Sequence, residues 1–117
     1  MFNVLNLESG MVIKDVGVVS SDFFSGWLGQ RFVPVIKPLL FKKNCDVSIS
    51  VSSWFCCVGM DLVFLDYDFK VVDLVVGFMP FDGYVSRNKV RWLLELPVFS
   101  IYKCDLEVGD RLVFISS

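Results

Sequence analysis

The nine-residue run Val58–Asp66 constrains the fold of this chain most, because it is apolar apart from one glycine and two carboxylates. Short apolar runs of this kind are typical of buried β-strands. Asp61 lies inside the apolar part of the run, where an ionised carboxylate is costly unless it is paired or hydrogen-bonded. The run therefore predicts a buried strand whose Asp61 has either a structural partner or a chemical use.

The rest of the chain also favours strands over helices. It contains no Ala, the best helix former, whereas its 12 Phe residues and many Val residues favour strands. The apolar segments are short, and turn signals separate them; Pro80 and Asp82-Gly83 mark one predicted loop. We predict strands over Phe2–Leu7, Met11–Val19, Leu39–Lys43, Val47–Ser52, Met60–Leu65, Phe69–Phe78, Val90–Leu96 and Arg111–Ile115. This pattern indicates a mainly β fold, a small antiparallel or mixed β-sandwich or barrel that is jelly-roll-like.

One short helix is predicted near residues 22–32, where Ser21 is a suitable N-cap. Its apolar residues recur at helical spacing and form one face. They are Phe23, Phe24, Trp27, Leu28 and Phe32. A single helical turn is predicted over Phe99–Cys104. Because the chain has 117 residues and no linker or internal repeat, we predict one domain, 1–117.

Charge and hydropathy patterning argue against two classes of partner. Hydrophobic residues make up 55% of the chain, but a membrane span needs roughly 20 mostly apolar residues in a row. The longest uncharged stretch, Val47–Met60, is shorter and is interrupted by serines, so we predict no membrane span. The net charge is −2 and Lys42-Lys43 is the densest basic pair, so we predict no nucleic-acid partner. The first residues lack the pattern of a signal peptide, which predicts a soluble, cytoplasmic protein.

The side chains that are missing or scarce exclude several chemistries. The chain contains no His, which removes Ser-His-Asp and Cys-His catalysis, His metal ligands and the usual base near neutral pH. Its four cysteines form no Cys-x-x-Cys pair, so the common zinc and thioredoxin-type spacings are absent. They are Cys45, Cys56, Cys57 and Cys104. We interpret them as reduced core residues, with a redox-sensitive or metal-capturing thiol as the alternative, and predict no cofactor and no metal site.

Four stretches of the chain carry a resemblance to a known family. They are Phe23–Gln30, Trp54–Asp66, Trp92–Pro97 and Val108–Leu112. In order and spacing they are similar to four motifs of the family catalogued as domain of unknown function 192, and the match covers about residues 20–115. The motifs are a Gly-Leu helix segment, an Asp-hydrophobic-Phe-hydrophobic-Asp core, a Val-Leu-Glu-Leu-Pro strand and a Gly-Asp turn. The resemblance implies a small, mainly β sandwich of jelly-roll type with a short helix, in a family whose biochemical function is not established.

The chain departs from the family's pattern at four positions. Phe23 takes the place of the usual Arg, Cys56 that of Met and Gly59 that of Pro. Ser52 lies where related members often have His. Asp61 and Glu95, by contrast, match the two acidic positions of the family. The resemblance therefore implies that this chain keeps the acidic residues but has lost other polar groups that a shared site could use.

Asp61 and Glu95 allow three interpretations. In the first they are structural, and each accepts hydrogen bonds from backbone N–H groups or pairs with an arginine. The candidate arginines are Arg31 and Arg91. In the second, a ligand-binding cleft is lined by Trp54, Asp61 and the Ser face of Val47–Ser52. In the third, the two carboxylates form a pair for acid–base chemistry or for a hard metal, which requires them to be close in space.

Two functions from different classes follow from these interpretations. We predict a small, soluble, non-enzymatic β module that binds a protein partner or a small ligand. Its candidate binding residues are Trp54, Asp61 and Glu95, and no residue is assigned a catalytic role. The alternative is a metal- or carboxylate-dependent enzyme that uses Asp61 and Glu95. Asp110, which follows Gly109, is interpreted as a turn-capping side chain.

Overall fold

The computed structural model describes residues 1–19, 38–47, 50–52, 59–79, 83–86 and 89–116. Within these ranges the chain is mainly β, as the sequence predicted, with nine strands and one short helix. They are β1 (Phe2–Asn6), β2 (Val12–Val19), β3 (Leu39–Val47), β4 (Ser50–Ser52), β5 (Met60–Leu65), β6 (Val71–Phe78), β7 (Gly83–Val85), β8 (Val90–Pro97), α1 (Ser100–Lys103) and β9 (Leu112–Ser116). No helix in the described part of the chain is long and apolar enough to cross a membrane.

The predicted strands agree with the observed ones to within a few residues, and Met60–Leu65 agrees at both ends. The loop predicted at residues 80–83 is wrong at its end, because β7 begins at Gly83 and pairs with β4. The helical turn predicted over Phe99–Cys104 is confirmed as α1. The helix predicted near residues 22–32 lies outside the described residues.

Seven strands form one sheet in the order β6-β5-β8-β3-β2-β1-β9. β2 and β3 run parallel and the other neighbours run antiparallel, so the sheet is mixed. The sheet curls until its two outer strands approach each other. Lys70 and Arg111 form a bridge there, and the Leu112 N–H donates to the Phe69 carbonyl over 2.9 Å. The result is a half-barrel, and β4 and β7 pair with each other in antiparallel register.

Each face of the large sheet carries its own apolar cluster, because successive side chains of a strand point to opposite faces. The inner cluster fills the half-barrel and draws on both ends of the sheet. It consists of Val4, Ile13, Val16, Leu40, Val63, Leu65, Val71, Leu94, Leu96, Ile101, Leu106 and Leu112. The outer cluster lies on the opposite face and consists of Phe41, Met60, Leu62, Phe64, Phe78, Val90 and Leu93. We refer to these two surfaces of the sheet as the inner face and the outer face.

A hydrogen-bonded turn before β9 closes one side of the half-barrel. The buried Oδ2 of Asp110 accepts the side-chain amide of Asn6 at 3.0 Å and the N–H of Glu107 at 2.9 Å. The carbonyl of Asp110 accepts the N–H of Val71 at 2.7 Å. The turn-capping role predicted for Asp110 is therefore confirmed, and the same residue joins β1 and β6 to the start of β9.

Candidate functional site

Asp61 is fully buried on the inner face, and both of its carboxylate oxygens accept backbone hydrogen bonds. Oδ1 accepts the N–H of Gly77 at 2.9 Å, and Oδ2 accepts the N–H of Ile101 at 3.0 Å. Bonds of this charge-assisted kind are stronger than neutral ones, and they offset the cost of burying the carboxylate. Asp61 thus has the backbone N–H partners that its structural interpretation expects, and its side chain joins β6 and α1 to β5.

The start of α1 explains why a remote carboxylate is needed. The first N–H groups of a helix have no partner within the helix and are usually satisfied by the side chain of the N-cap residue. Here the N-cap is Phe99, which makes no side-chain cap and has a left-handed φ of 73°. Asp61 reaches this helix end from β5 and accepts the Ile101 N–H instead.

Glu95 lies on the opposite face of the sheet from Asp61. In the ladder between β5 and β8, Asp61 is paired with Leu96, whereas Glu95 is paired with Leu62. Directly paired residues share a face, and neighbours along a strand do not. Asp61 therefore lies on the inner face with Leu96, and Glu95 lies on the outer face with Leu62. The structure does not bring the two carboxylates together into a pair for acid–base chemistry or metal binding.

A polar pair that the sequence analysis missed lies on the outer face with Glu95. Asp73 of β6 is 5% exposed and is paired with Phe64 of β5, which places it on that face. Its Oδ2 accepts a 2.6 Å hydrogen bond from the hydroxyl of Tyr84, and its Oδ1 accepts the N–H of Leu74 at 2.9 Å. The ring of Tyr84 also packs against the ring of Phe64, with 5.6 Å between their centroids.

Asp73, Tyr84 and Glu95, with the apolar side chains beside them, form what we call the outer-face site. Its apolar members are Leu62, Phe64 and Leu93. Glu95 is paired with Leu62 and Asp73 with Phe64, so the two carboxylates belong to adjacent rows of side chains. A carboxylate only accepts hydrogen bonds, whereas a phenol both donates and accepts. Among the described residues, no group of three or more Cys, Asp or Glu side chains could hold a metal ion.

The sequence does carry a signal for Asp73, because this residue is a carboxylate inside an apolar strand, as Asp61 is. Tyr84 carries no comparable signal, since it follows turn residues and precedes no long apolar run. Trp54, the third candidate binding residue, lies outside the described residues, as do the side chains of Val47–Ser52. The cleft expected from Trp54 and the Ser face therefore stays a prediction.

Cys104 lies away from the polar groups of the outer face, because it packs against the inner cluster, and it forms no disulfide. Burial raises the pKa of its thiol above the usual 9.0, although the neighbouring Lys103 acts in the opposite direction. A raised pKa keeps the sulfur protonated and weakly nucleophilic. These properties support the interpretation of Cys104 as a core residue, while the side chains of the other three cysteines lie outside the described part.

Comparison with known proteins identifies relatives along most of the chain, although no family model matches it. A UPF0127 protein of Pyrococcus furiosus is 31% identical over 111 residues, which cover 93% of this chain and 95% of that protein. A UPF0127 protein of Thermococcus sibiricus is 25% identical over 112 residues, covering 93% of this chain and 72% of that protein. A UPF0127 protein of Pyrococcus horikoshii is 27% identical over 96 residues, covering 80% and 83%.

Two solved structures share the fold. A protein of Sinorhizobium meliloti, provisionally described as a transcription regulator, has a TM-score of 0.86 at 17% identity, over 97% of this chain and 91% of that one. A protein of unknown function from Novosphingobium aromaticivorans has a TM-score of 0.83 at 15% identity, over 96% and 82%. At these identities the likeness shows the fold alone.

Proposed function

The chain belongs to the UPF0127 family, and we propose that it is a small, non-enzymatic β module that binds a small ligand at the outer-face site. One observation supports this proposal above the others. The carboxylate of Asp73 and the hydroxyl of Tyr84 form a partly buried hydrogen bond beside an apolar cluster, and Glu95 lies on the same face. Mostly apolar surfaces with a few converging polar groups are the usual form of small-molecule sites.

The side chains of the outer-face site define the class of ligand. Leu62 and Leu93 are apolar and buried, so the part of the ligand beside them is a ring or a branched alkyl group. Asp73 and Glu95 only accept hydrogen bonds when ionised, so the matching ligand carries a donor such as a hydroxyl, amide or amine group. We therefore propose a ligand with an apolar body and at least one hydrogen-bond donor.

The enzyme alternative that uses Asp61 and Glu95 is less well supported. Both members of an acid–base pair must lie within hydrogen-bond reach of one substrate. Asp61 uses both oxygens on backbone N–H groups of the inner face, whereas Glu95 lies on the outer face. We propose that Asp61 contributes to binding by holding β5 in place, while Glu95 contacts the ligand.

The test is a fragment screen read by the methyl signals of isotope-labelled leucine and valine. The probes are small ring compounds that carry a hydroxyl, amide or amine group. We expect fragments that bind at about 1 mM to shift the methyl signals of Leu62 and Leu93, and not those of Val63 and Leu94 on the inner face. Binding confined to the inner face, or no binding by any fragment, would contradict the proposal.

A pair of matched variants tests the role of the carboxylate. Glu95→Gln keeps the size of the side chain but turns half of its acceptors into donors. We expect this variant to lower the affinity for fragments that carry a hydrogen-bond donor by roughly tenfold. The affinity for the same fragments without the donor should stay unchanged. Equal weakening of both series would show that Glu95 acts on the fold and not on the ligand.

Three finer assignments belong to the same proposal. We infer that the domain of unknown function 192 pattern and the UPF0127 family describe the same kind of module, on the support of the four quoted stretches. We also propose a cytoplasmic location, supported by the unpaired thiol of Cys104. Although one structural neighbour is described as a transcription regulator, the net charge of −2 supports a partner other than nucleic acid.

A further inference from the structure

β9 is the last strand of the seven-stranded sheet, and its backbone groups face two different sides. The N–H of Leu7 donates to the carbonyl of Arg111 at 3.0 Å, so Arg111 faces β1. The N–H of Leu112 points the other way and donates to the carbonyl of Phe69 at 2.9 Å. β9 is therefore paired on both sides at its start.

The rest of the side that faces away from β1, at Phe114 and Ser116, is what we call the free edge of β9. Bonding directions alternate along an antiparallel strand, so the N–H and C=O groups of these two residues face the same side as those of Leu112. Among the described residues, nothing bonds to them there. Natural edges are usually blunted by charge, proline or a bulge. Val113–Ser116 has no charge and no proline, and it pairs with β1 in unbroken register, so the free edge is open to an added strand.

Apolar side chains flank the free edge on both faces of the sheet. On the inner face, the partly exposed ring of Phe114 lies 4.7 Å from that of Phe69 and 6.4 Å from that of Trp92, measured between centroids. On the outer face, Val113 is 37% and Ile115 is 48% exposed. The buried indole N–H of Trp92 has no hydrogen-bond partner within the described part of the chain. A strand added here covers apolar surface on both faces and brings acceptors close to this donor.

Two cations lie where the free edge begins. Lys70 and Arg111 are directly opposite each other in the bridge that joins the two ends of the sheet, and both are exposed. Like charges in this position destabilise a sheet, and neither side chain forms an ion pair with any residue that the structure describes. The nearby Asp66 uses its Oδ1 on two backbone N–H groups of its own turn. A carboxylate brought by another molecule would relieve the repulsion between the two cations.

We propose that the free edge of β9 binds an extended acidic peptide of a partner protein by strand addition. Backbone bonds to Phe114 and Ser116 provide the pairing, and apolar side chains at alternate positions of the peptide pack on the two faces. A carboxylate at one end of the peptide lies beside Lys70 and Arg111. The charge selects this occupant over a second copy of β9, because Leu112–Ser116 contains no acidic residue to place beside the cations. This interface does not depend on the outer-face site, which belongs to other strands.

Amide exchange and chemical shifts of the whole chain test the pairing. The probes are blocked peptides of six residues in which valine and threonine alternate, with a glutamate at the first or the last position. At a peptide concentration about ten times Kd, we expect the amides of Phe114 and Ser116 to exchange roughly tenfold more slowly. The amides of Val113 and Ile115 already face β1 and serve as internal controls. No slowing at about 10 mM peptide, or equal slowing at all four amides, would overturn the proposal.

A charge variant tests the chemistry of the partner. Arg111→Gln should lower the affinity for the glutamate peptides by roughly two- to fivefold and leave the matching glutamine peptides unchanged. Lys14→Gln is the control, because Lys14 is exposed on β2 and the variant changes the net charge by the same amount. Equal affinity of the wild type for glutamate and glutamine peptides would refute an acidic partner.

Sedimentation of the wild type without peptide distinguishes the partner from a second copy of the chain. We expect the sedimentation coefficient to stay that of a monomer as the protein concentration rises. A dimer whose formation slows exchange at Phe114 and Ser116 would assign the free edge to self-association and overturn the proposal.

Discussion

Replacement of Asp61 by Asn gives the sharpest test of how this fold is held together. Asp61 is fully buried and accepts two backbone N–H groups, from Gly77 at 2.9 Å and from Ile101 at 3.0 Å. An Asn side chain has the same shape but offers one oxygen and one NH₂ group. The NH₂ group therefore faces an N–H donor, and one of the two bonds is lost.

The size of the effect follows from these two bonds. A hydrogen bond to a charged group contributes about 1.5–3 kcal/mol to the free energy of unfolding. Part of its loss is offset, because a neutral Asn side chain costs less to bury than an ionised carboxylate. We expect Asp61→Asn to lower the free energy of unfolding by about 2 kcal/mol. Asp61→Ala loses both bonds and leaves two buried donors, and we expect a loss of about 3–5 kcal/mol.

Urea unfolding, followed by the fluorescence of the chain's 3 Trp residues, measures this change. Asp68→Asn is the control, because Asp68 lies in the exposed turn between β5 and β6. Hydrogen exchange adds a local readout, since the amides of Gly77 and Ile101 should lose protection more than those of β9. A loss within about 0.5 kcal/mol of the control would refute the conclusion that Asp61 determines the fold.

Three further predictions concern other parts of the molecule. Phe99→Asn should raise the melting temperature relative to Tyr102→Asn, because Asn tolerates the left-handed φ of 73° that strains Phe99; an equal or lower value would refute the strain. Asp110→Ala should lower the free energy of unfolding by about 2–4 kcal/mol, because it removes the acceptor of Asn6 and of a backbone N–H, and thermal denaturation would show it. Burial raises the pKa of the Cys104 thiol. The contribution of this thiol to the free energy of unfolding is therefore complete below pH 9.0 and is lost as the pH rises further. The stability difference between wild type and Cys104→Ser should therefore shrink above that pH, and a difference that grows would contradict the burial of the thiol.

Much of the fold could be predicted because most strands carry an apolar pattern in their own residues. β5 agrees with its predicted bounds at both ends, since Met60–Leu65 is an apolar run that is buried at every position. β7 could not be predicted, because Gly83–Val85 has three residues and follows turn signals, and it becomes a strand through its pairing with β4. A strand that forms through pairing with another strand carries only a weak signal in its own sequence.

The candidate site was harder to predict than the fold because it depends on register. Asp61 and Glu95 each look like a carboxylate in an apolar strand, and the sequence alone does not decide whether they share a face. A shift of one residue between β5 and β8 would have placed both on the same face. The observed pairing of Glu95 with Leu62 separates them, and it brings Glu95 to the face of Asp73 instead.

The pairing of β1 with β9 governs the order in which the protein is able to fold during synthesis. Phe2 is paired with Ser116 and Asn6 with Leu112, so two strands from opposite ends of the sequence must meet. Such distant contacts make folding slow, because nearly the whole chain must be closed into a loop first. During synthesis, the edge of β1 that pairs with β9 stays unpaired until β9 has left the ribosome. In that interval the unpaired edge favours association of the nascent chain with other chains.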